Sequence, residues 1–161
     1  FFPALQTFRS ADARIIGVPV DEHGMRTDLL DGYCARFRPK LIYTVPTFQN
    51  PTGTTLPPER RSELIDVARR YQCLIVEDDA YGDLWYGGES SDAHRPIPLK
   101  GMENAGYVMY LSTFSKTVTS GLRTGSGLWP TRHVINRLAA PAAHGRPAYE
   151  HVIAAHLPGT A

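Results

Sequence analysis

The chain has little cysteine and no pairing pattern for the cysteine it has. Its two cysteines, Cys34 and Cys73, form no CxxC unit, so neither a zinc knuckle nor a thiol redox motif is written here. Cys73 directly precedes the apolar run Leu74-Ile75-Val76. A buried reduced thiol is expected there rather than a disulfide, which fits a cytosolic home. No apolar run is long enough to span a bilayer, and the N-terminus carries no signal-peptide pattern. An excess of one charge is also lacking. Seventeen Lys and Arg stand against 16 Asp and Glu, a net charge of +1. The basic residues are scattered apart from short pairs such as Arg60-Arg61 and Arg69-Arg70, so no electrostatic footprint for nucleic acid or an anionic membrane is present. Neither a P-loop nor a GxGxxG is found, which argues against a generic nucleotide-binding α/β domain. There is no internal repeat. Asn50-Pro51-Thr52 is not a glycosylation acceptor, because proline fills its middle position.

What is present fits one soluble globular domain. The chain has 161 residues, 42% hydrophobic and 20% charged, enough to bury a core. It opens at Phe1 without a Met and closes at Thr160-Ala161, and reads as a piece of a longer protein. Ala13 to Val20 is rich in β-branched residues and predicts a strand. Arg26 to Arg38 places Leu29, Leu30, Tyr33 and Phe37 on one helical face. Leu41 to Val45 predicts a second strand, ended by Pro46. Pro57 and Pro58 sit just inside a helix start, with Thr55 as a cap, and that helix runs to about Tyr71. Leu74 to Val76 is a short buried strand ending in Glu77-Asp78-Asp79. Gly87 to Lys100 is polar and Pro-rich and predicts a loop. Tyr107 to Leu111 and Thr124 to Trp129 predict two more strands, Thr131 to Ala140 a helix, and Tyr149 to Ile153 the opening of a final helix. Strands alternating with helices, each continuously apolar, predict a mostly parallel sheet covered by helices on both faces.

In such sheets ligands bind beyond the carboxyl ends of the strands. Three polar groups fall there: Asn50 after one strand, Asp78 at a second, Lys116 after a third. Alone, each has a plain alternative. Asp78 reads as a helix cap or surface acid, unless a cation such as a protonated pyridine nitrogen pairs with it. Lys116 reads as a solvated loop lysine; as a Schiff-base lysine it needs burial or nearby cations to be neutral enough to attack. Thr113, Ser115 and Arg123 read as an ordinary loop, or as hydroxyls and a planar fork suited to a phosphate monoester. Asn50-Pro51-Thr52-Gly53 reads as a turn, or as a turn that aims an amide at a phenolate oxygen.

In their order and spacing these clusters resemble the fold-type I pyridoxal 5'-phosphate (PLP) enzymes, specifically the class I/II aminotransferases. The likeness is nearest to the 2-aminoadipate/kynurenine-type aminotransferases and to the aminotransferase-like domain of MocR regulators. The segments that carry it are YTVPTFQNPTGTTLPPERRSELIDVARR (Tyr43 to Arg70), LIVEDDAYGDLWY (Leu74 to Tyr86) and YLSTFSKTVTSGLRTG (Tyr110 to Gly125). The resemblance implies that Asn50, often followed by a cis proline bond, and Tyr81 contact the cofactor's 3'-oxygen. Asp78, three residues before Tyr81, is implied to pair with the pyridinium nitrogen. Lys116 is implied to form the aldimine and to carry the proton between Cα and C4'. Thr113, Ser115 and Arg123 are implied to hold the phosphate. Phe1 is either the ring-stacking aromatic or a hydrophobic helix start. Ser126-Gly127 depart from the bulkier apolar residues the family favours. The likeness fades after about Leu138.

The implied activity is amino-group transfer between an amino acid and a 2-oxo acid, in the cytoplasm, by a homodimer. The alternatives are a PLP-binding effector domain of a MocR-type regulator, which touches nucleic acid only through a winged helix N-terminal to this chain, or an inactive truncated fragment. Residues 1–161 are expected to be a single partial large domain. The Gly/Ser-rich phosphate loop is expected upstream, and the small domain with the carboxylate-binding Arg downstream.

Overall fold

The computed structural model describes residues 2–87, 94–122, 124–131 and 151–156. In chain order the elements are α1 (Phe2–Ser10), β1 (Arg14–Asp21), β2 (Gly24–Met25), α2 (Leu30–Phe37), β3 (Leu41–Thr44), α3 (Pro58–Tyr71), β4 (Leu74–Asp78), α4 (Leu99–Met102), β5 (Val108–Thr113), β6 (Gly125–Leu128) and β7 (His151–His156). Local sequence sets several of these limits. Proline at the first position of α3 loses no helical hydrogen bond, because that N–H would have no partner. The helix stops where Gln72 turns left-handed at φ 56° and its N–H closes back on Ala68 and Arg69. Thr55 does not cap α3: the capping position is Pro57, with no side-chain bond, and the Thr55 hydroxyl instead accepts from the Phe48 N–H at 3.2 Å. A 3-10 turn over Thr27–Leu29 leads into α2, which ends at Arg38 with φ 47°.

The strands form one seven-stranded sheet in the order β2-β1-β7-β3-β4-β5-β6. The five central strands are parallel, and β2 and β6 add antiparallel at the two edges. Alternation along the strands splits the core in two. Val18, Ile42, Ile75, Val108 and Ile153 point to the face covered by α2, α3 and α4. Tyr43, Leu74, Val76 and Ala154 point to the face covered by α1, through Ala4, Leu5 and Phe8. Helices therefore lie on both faces, as the apolar strand runs predict. Full burial of side chains such as Ile42, Leu64, Ile75 and Ile153 stabilises the fold by about 1.5–3 kcal/mol each. Cys34 and Cys73 are free and buried in the first of these cores.

Two expectations change. The sequence from Tyr149 to Ile153 predicts the opening of a helix. Residues 151–156 instead form β7, paired on both sides in the middle of the sheet. Valine and isoleucine between β1 and β3 gain two ladders of backbone bonds, which outweighs a weak helical pattern. The loop expected over Gly87 to Lys100 gives way to a helix at Leu99, whose first N–H groups are taken by Glu77 (Leu99 N at 2.7 Å, Lys100 N at 2.9 Å). Burial pushes the Glu77 carboxyl up to about 7, against these two donors, which favour the ionised form. Residues 132–140, where a further helix was expected, lie outside the described residues.

Candidate functional site

Parallel pairing brings the carboxyl ends of β3, β4 and β5 to one edge. Tyr43 stands opposite Val76, and Val76 and Asp78 stand opposite Met109 and Leu111. Partners in register share a face, so Tyr43 and Asp78 point the same way, toward α1. Glu77, one residue earlier, points to the other face and docks α4. Beyond these strand ends Asn50, Asp78, Tyr81, Thr113, Ser115 and Lys116 line one cavity of about 260 Å³, with Val45 and Ala80 as apolar walls.

Asp78 is the carboxylate among these lining residues. Burial raises its pKa above the ordinary carboxylate value, and a hydrogen bond from Tyr43 works against that rise. The Tyr43 hydroxyl donates to Asp78 Oδ2 at 2.6 Å. Burial and the neighbouring carboxylate hold that phenol well above its usual range, so it stays a donor. Tyr43 also meets Phe8 of α1 edge-on, with ring centroids 5.6 Å apart. Asp79 is committed elsewhere. It accepts from the Tyr110 hydroxyl at 2.9 Å and the Gly82 N–H at 3.0 Å, and it lies 3.5 Å from Arg95.

Asn50 sits at the tip of the loop between β3 and α3, and its bond to Pro51 is cis. The Asn50 amide donates to the Tyr81 hydroxyl at 3.2 Å, so the two polar heads converge on one point. Lys116 Nζ lies 5.6 Å from the centre of the Tyr81 ring. The residue is exposed at the cavity rim, so the burial asked of a Schiff-base lysine is not supplied by the described residues. Thr113 and Ser115 are half-buried beside it. Their hydroxyls lie 3.0 Å apart, and the Ser115 N–H points at Thr113 Oγ1 (3.1 Å). Arg123 and Phe1 lie outside the described residues.

The donor set fits a flat, phosphorylated, protonated heterocycle. A desolvated carboxylate asks for a cationic N–H. The Asn50 and Tyr81 heads suit one ring oxygen, and two hydroxyls with an amine suit a phosphate or an aldehyde. Among the described residues no group of three or more His, Cys, Asp or Glu could hold a metal. Two residues escaped the sequence reading. Tyr43 was legible in principle, since parallel register and alternation set it on the face of Asp78. Arg61 stands in the sequence as half of a short basic pair with Arg60, and nothing in the pattern shows that it is buried.

Among known protein families, the model of aminotransferase class I and II matches residues 5–147. The chain belongs to that family. It is 42% identical over 139 residues to the uncharacterized HTH-type transcriptional regulator YisV of Bacillus subtilis, covering 86% of this chain and 28% of that protein. It is 39% identical over 131 residues to aromatic-amino-acid aminotransferase 1 of Thermococcus litoralis, covering 78% of this chain and 30% of that protein. It superimposes on the crystal structure of Pyrococcus horikoshii kynurenine aminotransferase, solved in complex with PMP, with a TM-score of 0.75 at 35% identity, over 85% of this chain and 34% of that one. The chain thus spans about a third or less of the length of these relatives.

Proposed function

We propose that this chain is part of the cofactor-binding large domain of a PLP-dependent aminotransferase, one that moves an amino group between an amino acid and a 2-oxo acid. The observation that carries this reading is the convergence of Asn50, Asp78, Tyr81 and Lys116, from the ends of three parallel strands, onto one cavity. When bound, PLP supplies an aldehyde that joins to amines and a protonated ring that accepts electrons. Asp78 holds the ring N–H and keeps it protonated. Tyr43 keeps Asp78 anionic and fixes its orientation. Asn50 and Tyr81 hold the ring oxygen. Lys116 would offer its amine to the aldehyde and would hold or move the proton at the substrate Cα. Thr113 and Ser115, with Arg123, hold the phosphate. No described helix is long and apolar enough to cross a membrane. A cytoplasmic reaction and a homodimer belong to the same proposal and rest on the family reading.

The test is to mix the protein with PLP, record the absorbance of the lysine-linked cofactor, reduce with borohydride and map the label. The label is expected on Lys116. No absorbance band, or a label on Lys40 or Lys100, overturns the reading. Lys100 is already committed, with its Nζ 2.8 Å from the Val108 carbonyl.

The Bacillus subtilis relative favours a second reading, a PLP-binding effector domain of a MocR-type regulator. It predicts the same label on Lys116 but no turnover when amino acids and 2-oxo acids are supplied.

A further inference from the structure

Arg61 lies in α3, outside the cavity, and is 1% exposed. Among the described residues no carboxylate pairs with it. Burial pushes its guanidinium below the ordinary arginine value, and the nearby carboxylates of Glu77 and Asp79 work against that fall. A buried cation with no carboxylate in direct contact is costly, so its donors must be well used. Nε donates to the Leu56 carbonyl at 2.8 Å. Nη2 donates to the Pro46 carbonyl at 2.8 Å and to Thr47 Oγ1 at 2.9 Å. Nη1 donates to the Ile97 carbonyl at 3.1 Å.

The acceptors are the two ends of one loop. Pro46 opens the segment that carries Asn50, and Leu56 closes it. The base of this loop is short of backbone donors, because Pro46, Pro57 and Pro58 have no N–H. One backbone bond, Leu56 N–H to the Pro46 carbonyl at 2.8 Å, joins the ends, and the planar fork of Arg61 supplies the rest. The fourth acceptor, Ile97, leads into the segment docked on Glu77, the neighbour of Asp78. One guanidinium therefore ties the loop of Asn50 to the strand end of Asp78. Lysine cannot copy this, since it presents a point charge instead of a rigid fork.

We propose that Arg61 is a positioning residue of the site: it locks both ends of the loop over residues 46–56 and so fixes the Asn50 amide against Tyr81. The role toward PLP rests on the reading given under the proposed function.

The experiment compares the parent with Arg61→Lys, Asn50→Ala and the double variant, and carries Arg61→Met in parallel as the uncharged form. In cofactor-free protein, amide hydrogen exchange is followed by mass spectrometry. Arg61→Lys is expected to speed exchange over residues 47–55 by about 10-fold or more and to leave β1 and α2 within about 2-fold of the parent. In PLP-loaded protein the pH midpoint of the cofactor absorbance is read. Arg61→Lys is expected to move it in the same direction as Asn50→Ala, and to add nothing when Asn50 is already alanine. Equal acceleration throughout the chain, an unchanged loop, or additive spectral shifts would overturn the proposal. If the parent shows no PLP band, the cofactor reading fails, and the exchange measurement alone decides whether Arg61 holds the loop.

Discussion

Tyr43→Phe removes one oxygen from the site and leaves the packing of the ring on Phe8 intact. The lost bond is short, 2.6 Å, and its acceptor is a desolvated carboxylate. A hydrogen bond to a charged group contributes about 1.5–3 kcal/mol, and one between neutral groups about 0.5–1.5 kcal/mol. The penalty of the substitution therefore depends on the charge of Asp78. Below the ordinary aspartate value of 3.8, the carboxyl is neutral in folded and unfolded chains, and only the neutral bond is lost. As pH rises, the unfolded chain ionises first, because burial has raised the folded value. The folded state then holds the extra proton, so this group's contribution to stability falls with rising pH until the folded carboxyl ionises. Without the phenol the folded value rises further, and that fall continues to higher pH.

The difference between parent and Tyr43→Phe is thus expected to grow by about 1–1.5 kcal/mol from pH 3.5 to pH 8, the gap between the charged and neutral bond energies. Urea unfolding across that range measures it, and NMR of the labelled Asp78 carboxyl should show titration at higher pH in the variant. A penalty independent of pH, or an Asp78 titration that stays put or moves down, would refute the assignment of Tyr43 as the group that keeps Asp78 ionised.

Glu103 accepts three consecutive backbone N–H groups, from Ala105, Gly106 and Tyr107, at 2.6 to 3.0 Å. Glu103→Ala is expected to lower stability by roughly 3 kcal/mol, about 1 kcal/mol per orphaned donor, and an unchanged melting temperature would count against it. A Cβ on Gly82 would collide with both carboxylate oxygens of Asp79, so Gly82→Ala should cost about 1–3 kcal/mol in chemical unfolding. It should also weaken PLP binding through the adjoining Tyr81; binding at the parent's strength would show that Asp79 can move away without consequence for the site.

The parts of the fold that sequence conveyed were those with a local cause. Leu41 to Val45 and Leu74 to Val76 are largely apolar on both faces, as strands of a covered parallel sheet are. Pro57-Pro58 opens α3 for backbone reasons alone. The parts it concealed depend on distant partners. His151 to His156 carries a weak pattern, and its place between β1 and β3 is decided by the two strands it joins. The short α4 exists where Glu77, far back in the chain, takes its first N–H groups. In the site the same division holds. Asn50, Asp78, Tyr81 and Lys116 stand out because each follows an apolar run. Arg61 does not, because a buried and an exposed arginine are written alike, and only the carbonyls converging on it tell them apart.

Parallel neighbours also bear on the order of events during folding. Strands that run the same way cannot be joined by a tight turn, so each pair is separated by a long crossover. Tyr43 meets Asp78 across 35 residues and Asn50 meets Tyr81 across 31. Closing such long loops is slow, and their contacts form only after much chain entropy has been lost. A short peptide that carries one side of these contacts would not hold the cavity, and an intermediate that lacks the crossovers would not either. The appearance of a ligand-binding signal during refolding would therefore time the completion of the sheet itself.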